Sequence, residues 1–198
     1  MDALPARIRA FVALRLAAEV EQAIDAFVAT QRPGGAGMNW VARERLHLTL
    51  RFLGGAIDSN LIAPLGAALA QIAAETAPFG INARGTGAFP NLERPRVLWV
   101  GLAGAELKPL AQRVEAAAVR CGFAPEPRPY SPHLTIARVR NLRGWRELKR
   151  DLTAAADRDF GQSRIDSMAL YRSILGAGAV TYRELARYAF GRVTSPID

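Results

Sequence analysis

Two histidines occur in this chain of 198 residues, His47 and His133, and each opens the same four-residue pattern. The first reads His47-Leu48-Thr49-Leu50 and the second, 86 residues on, reads His133-Leu134-Thr135-Ile136. Two imidazoles suit proton transfer at the two ends of one reaction. A neutral ring takes a proton from an attacking water while a protonated ring gives one to the departing oxygen. The ordinary imidazole pKa of about 6.5 makes both forms accessible near neutral pH. The hydroxyls of Thr49 and Thr135 can donate to the non-bridging oxygens of a phosphodiester, and a nearby Arg can offset charge developing there. Other chemistry is less well served: the chain has no Gly-x-Ser-x-Gly nucleophile elbow and no Gly-rich phosphate loop ending in Lys. A single cysteine, Cys121, excludes an intrachain disulfide, and with two His it makes too few ligands for a structural zinc site. No metal and no cofactor are therefore expected. A purely structural reading, two strand imidazoles each bonded to a Thr or a carbonyl, would suit a single His-x-Thr. A pattern that repeats and consumes every histidine favours chemistry.

Both tetrapeptides fall in predicted strands, where side chains alternate between faces. His47 and Thr49 then share one face, as do His133 and Thr135, while Leu48, Leu50, Leu134 and Ile136 anchor the strands in a core. The same alternation puts Arg51 beside His47 and Thr49 as a candidate phosphate contact. It sends Arg138 to the face opposite His133 unless a bulge or the strand's end intervenes.

The elements that must position these strands are legible from periodicity. Ile8–Leu16 reads as a strand, followed by a helix carrying Val20, Ile24, Phe27 and Val28 and a loop at Pro33–Gly37. The first motif strand spans about Leu46–Leu53 and ends at Gly54-Gly55, and Asp58 or Ser59 caps the next helix. Strands at Phe79–Gly87 and Arg96–Leu102 flank a Pro90–Pro95 turn. The helix from Glu106 to Cys121 stops at Gly122, and an extended Pro-rich stretch, Pro125 to Pro132, leads to the second motif strand, His133–Val139. A helix near Trp145–Ala155 and strands at Ile165–Ser173 and Val180–Phe190, separated by Gly176 and Gly178, complete the chain. Hairpin-like pairs mixed with helices indicate an α+β fold, with residues 1–198 forming one unit.

Composition adds less. Half the residues are hydrophobic, which excludes generic disorder, and no apolar run is long enough to span a membrane. The N-terminal apolar run Phe11–Ala18 is interrupted by Arg15 and lacks a cleavage site, so a soluble, cytoplasmic protein is expected. The net charge of +8 comes from 26 Lys+Arg against 18 Asp+Glu, and 24 of the 26 are Arg. Arg's planar donor fork favours phosphate-bearing partners, although a G- and C-rich genome would produce the same bias.

Two His-x-Thr-x motifs at this separation resemble the signature of the 2H phosphoesterase superfamily. The residues around them are similar to its RNA 2′,3′-cyclic phosphodiesterase branch, also called the 2′-5′ RNA ligase family. The likeness spans nearly the whole chain: Phe11-Val12-Ala13-Leu14, Trp40-Val41, His47 through Gly54, Gly87-Ala88-Phe89-Pro90, Pro95 through Gly101, Pro132 through Arg138, and Leu170-Tyr171-Arg172-Ser173. The resemblance implies two pseudo-symmetric lobes whose antiparallel sheets line a central cleft, with helices outside. It implies opening of RNA 2′,3′-cyclic phosphate ends, such as those of tRNA fragments, to 2′-phosphates. Nothing in the sequence demands an oligomer, so a monomer is expected. His47 would be the proton donor to O3′ and His133 the proton acceptor from water; the residues themselves leave that direction open. The resemblance also implies a phosphate-binding role for Arg138 and base stacking by Phe11 and Tyr130, while Trp40 and Trp99 read as packing residues. Alternatives sharing the site are 2′-5′ joining of RNA ends, opening of small cyclic nucleotides, and non-catalytic binding of RNA ends.

Overall fold

A computed structural model describes residues 4–176 and 180–191, so Gly178 lies outside the described residues. Among these residues nine strands and four α-helices follow one another as β1 (Arg7–Leu14), α1 (Ala18–Gln31), β2 (Met38–Trp40), β3 (Leu48–Asp58), α2 (Ile62–Ala74), β4 (Phe79–Phe89), β5 (Val97–Ala103), α3 (Leu107–Arg120), β6 (His133–Val139), α4 (Trp145–Ala154), β7 (Asp159–Ile165), β8 (Ser167–Leu175) and β9 (Val180–Ala189), with short 3-10 turns at Arg43–Arg45 and Ser59–Leu61. The strands form one sheet in the order β7-β4-β5-β6-β3-β1-β8-β9, with β2 added to β6. Every pairing is antiparallel. The fold is α+β, a curled sheet with helices on one face.

The order is symmetric about the junction between β6 and β3. Four strands lie on each side, and the chain runs through a βαβα unit twice, as β1-α1-β3-α2 and again as β5-α3-β6-α4. The first helix of each unit is exchanged between halves, α3 packing on β3 and α1 on β7, whereas α2 packs on β8 and β9 and α4 on β4. Each half's core is therefore closed partly by the other's helix, which welds the two together. The stripes that do this are α1 Val20, Ile24, Phe27 and Val28, and α3 Leu107, Leu110, Val114, Ala117 and Ala118. Leu48 and Leu134, the residues between His and Thr in each motif, are fully buried. Each contributes about 1.5–3 kcal/mol of hydrophobic stabilisation to the junction.

Three details differ from the sequence expectation. Strands β2 and β7 are additional; β2 has three residues, and β7 contains Gly161 and Gln162 in place of a clear apolar alternation. The first motif strand does not stop at Gly54-Gly55. Gly54 takes a φ of 143°, which L side chains rarely adopt, and the chain passes through an irregularity there before pairing Ile57 with Ile8. No helix among the described residues is long and apolar enough to cross a membrane.

Candidate active site

Strands β3 and β6 meet at one paired position, Leu48 opposite Leu134, and both leucines point into the core. Continuing that antiparallel register by one residue sets Thr49 across from His133 and His47 across from Thr135. All four then share the opposite, concave face. Across such a pair the diagonal side chains, here the two imidazoles, start about 7–8 Å apart. That spacing admits one phosphate between them.

The two rings are oriented in the same way. Nδ1 of His47 donates to the Arg45 carbonyl at 2.7 Å, and Nδ1 of His133 donates to the Ser131 carbonyl at 2.7 Å. Each bond reaches back two residues and ends on a group that can only accept. The proton of the neutral ring is therefore on Nδ1, and Nε2 is left to take or give a proton. Aromatic neighbours hold the rings. Phe11 stacks on His47 at 4.8 Å and Tyr182 meets it edge-on at 5.2 Å, while Phe89 meets His133 edge-on at 4.8 Å.

Burial in this aromatic setting lowers the His47 pKa to about 4. The bond to Arg45 opposes the shift, and the positive charges of Arg15, His133 and Arg138 add to it. His133 is lowered as well, by burial first and by Arg138 second, against the bond to Ser131. Arg15 is itself held in a fork, its Nε and Nη2 donating to Glu21 at 2.8 and 2.6 Å.

A bulge in each motif strand decides which arginine reaches the cleft. On β1 and β3, Ala13 pairs with Thr49 but Val12 pairs with Arg51, so Leu50 is one residue too many. On β5 and β6, Trp99 pairs with Thr135 but Leu98 pairs with Ala137, so Ile136 is the extra residue. The alternation inverts after each Thr. Arg51 consequently leaves the cleft, correcting its expected phosphate contact. It is 6% exposed and pairs with Glu115 and Glu126. Arg138, by contrast, is turned onto the face of His133 and Thr135. Among the described residues it makes no ion pair and no side-chain hydrogen bond. Its counterpart in the first half is Phe52, over which Arg9 lies at 4.4 Å.

Two cavities flank the histidines. One of about 300 Å³ beside His47 is lined by Phe11, Arg15, Tyr171, Tyr182, Glu184 and Arg187 among others. The other, about 240 Å³ beside His133, is lined by Arg84, Phe89, Trp99 and Gly101. Trp99 is thus a cleft residue as well as a packing one. Its indole lies against Gly87, where any Cβ would collide with the ring. Trp40 does pack on the main core.

The two aromatics expected to stack bases do other things. Phe11 faces the cleft but is 5% exposed, with His47, Tyr171 and Tyr182 all around its ring at 4.8–5.4 Å. Little of its surface is left for a base; it supports the imidazole. Tyr130 lines neither cavity, and its ring packs on the main core with the hydroxyl buried. Sequence reasoning gave no site role to Tyr171, Tyr182, Phe89 or Arg15. Alternation along β1 carries Phe11 and Ala13 on to Arg15, a usable signal. Tyr171 arrives by pairing with Phe11 from the far end of the chain, which no local pattern reveals.

Known proteins are similar to this chain in sequence and fold. The chain is 37% identical over 153 residues, 76% of its length and 85% of the relative's, to an RNA 2′,3′-cyclic phosphodiesterase of Aeropyrum pernix. It is 29% identical over 184 residues, 90% of its length and 97% of the relative's, to the RNA 2′,3′-cyclic phosphodiesterase of Methanothermobacter thermautotrophicus. Among solved structures, a protein of Thermus thermophilus superposes with a TM-score of 0.78 at 29% identity, covering 94% of this chain and 100% of that one. Escherichia coli LigT complexed with 3′-AMP superposes with a TM-score of 0.74 at 27% identity, covering 93% and 98%. The 2′-5′ RNA ligase superfamily model matches residues 15–176, from Arg15 through both His-x-Thr strands and the Tyr171 strand that completes the cleft, and the chain belongs to that superfamily.

Proposed function

We propose that this protein hydrolyses RNA 2′,3′-cyclic phosphate ends to 2′-phosphates, with His47 and His133 as its acid and base. The observation that carries the reading is the mirrored presentation of the two imidazoles, each with Nδ1 bonded to the carbonyl two residues back and Nε2 free. The names of the relatives supply the substrate class. Nε2 of neutral His133 takes a proton from water, whose oxygen attacks phosphorus. The P–O3′ bond breaks, and protonated His47 delivers its Nε2 proton to O3′, leaving a 3′-hydroxyl and a 2′-phosphate. Thr49, Thr135 and Arg138 bind the non-bridging oxygens and stabilise their added charge. Since the chain itself supplies acid, base and cationic stabilisation, the reaction proceeds without a divalent metal and survives EDTA. Both histidines belong to one chain, so a monomer suffices.

The acid role requires His47 to hold a proton despite a pKa lowered to about 4 in the unliganded cleft. An anionic phosphate against Nε2 raises it, because an opposite charge at contact favours the charged ring. A second reading exchanges the roles, and the same burial favours it: His47, the more aromatic-enclosed ring, sheds its proton readily and suits a base. A substrate with sulfur at the bridging 3′ position separates the two readings, since a thiolate leaves without protonation. His47→Ala should be rescued on that substrate and His133→Ala should not. The opposite pattern would establish the exchanged roles.

A further inference from the structure

The two histidines are approached by unlike segments. Residues 38–41, leading toward His47, are laddered onto β6: Met38, Asn39 and Trp40 pair with Val139, Arg138 and Ala137, and Val41 N–H donates to the Ile136 carbonyl at 2.9 Å. The strand that carries one histidine thus holds the approach to the other. The approach to His133 has no such ladder. From Ala124 to Ser131, no backbone group bonds another backbone group among the described residues. Pro125, Pro127 and Pro129 remove alternate N–H donors, so a strand cannot form there.

Arg51 takes the place of the ladder. Displaced to the core face by the bulge, it donates to the Ala124 carbonyl and to the Phe52 carbonyl of its own strand. It also pairs with Glu115 on α3 and with Glu126 at 3.7 Å, while Glu126 N–H donates to Glu115 at 2.9 Å. One buried guanidinium on the His47 strand therefore grips the segment that ends in Ser131, the carbonyl that orients His133. The second half has Ala137 at the matching place, where the backbone ladder already does this work.

We propose that Arg51 is a positioning residue for His133: it clamps Ala124–Glu126 and so fixes the Ser131 carbonyl that holds the imidazole. The inference rests on the proposed hydrolysis but can be read without it, because the chain has only two histidines and their ring nitrogens give two separable sets of NMR signals. In the unmodified protein both neutral rings should carry the proton on Nδ1. Arg51→Met and the milder Glu126→Gln are compared with Arg51→Lys in protein that remains folded by circular dichroism. The clamp expects the His133 ring alone to lose its Nδ1–H form, with His47 unchanged. It also expects kcat to fall about 10-fold or more at similar KM for Arg51→Met, less for Glu126→Gln, with partial recovery in Arg51→Lys. Unchanged nitrogen signals at both rings, or equal loss at both, would overturn the proposal. A failure of the unmodified protein to turn over cyclic-phosphate RNA would count against the hydrolase reading and leave the NMR comparison standing.

Discussion

The two halves of the cleft present the same His and Thr groups on different supports. In the first half, His47 is packed against Phe11 and Tyr182, with Tyr171 stacked on Phe11 behind it, and its approach is held by backbone pairing. In the second, His133 touches Phe89, and its approach is held by the Arg51 side chain reaching across the junction. After the motif Thr the halves diverge again, since the same bulge turns Phe52 into the cleft on one side and Arg138 on the other. The repeated βαβα unit gives both halves the same register and the same tautomer. Single positions that differ between the halves give one a cation and the other an aromatic floor, with Arg51 reaching from the first half to the approach of the second.

That comparison is broken most severely at the shared chemistry. His47→Ala and His133→Ala should each lower kcat/KM on a 2′,3′-cyclic-phosphate oligonucleotide by at least about 10²-fold. Either variant at full activity would remove the two-histidine mechanism. Next in size is the divergent position. Arg138→Ala should cost about 10²-fold in kcat because the transition-state charge loses its guanidinium. Phe52→Ala, at the matching place, should change kcat little. Equal losses at the two positions would show that the cation has no special part.

The α+β class, most of the elements and the shared face of each motif's His and Thr were legible because they rest on local rules. Apolar stripes mark α1 and α3, and Leu48 and Leu134 announce a buried strand face beside a polar one. Two features escaped those rules. The bulges after Thr49 and Thr135 reverse the alternation within a strand, so Arg51 was read onto the wrong face and Arg138 needed a bulge to reach the right one. Tyr171 and Tyr182, which close the aromatic floor around His47, come from β8 and β9; β8 pairs with β1 and β9 with β8, an order set by the whole sheet. Phe11 entered only through the family resemblance, as a base-stacking aromatic, and its role as a support for His47 depends on Tyr171 and Tyr182. Lone features of composition decided little: the Arg excess did not distinguish the buried clamp at position 51 from the cleft cation at position 138.

The central claim is that the two imidazoles work as a singly protonated pair, and the dependence of kcat/KM on pH tests it most directly. That profile reports the unliganded protein, in which burial and neighbouring cations hold both rings below the ordinary 6.5, His47 at about 4. The window in which one proton is shared therefore lies on the acid side of 6.5. Measured in EDTA on a cyclic-phosphate oligonucleotide, the profile should be a bell with its maximum between about 4 and 6.5. Its rising limb should vanish in His133→Ala and its falling limb in His47→Ala. A profile with one limb only, or a maximum well above 6.5, would contradict the account.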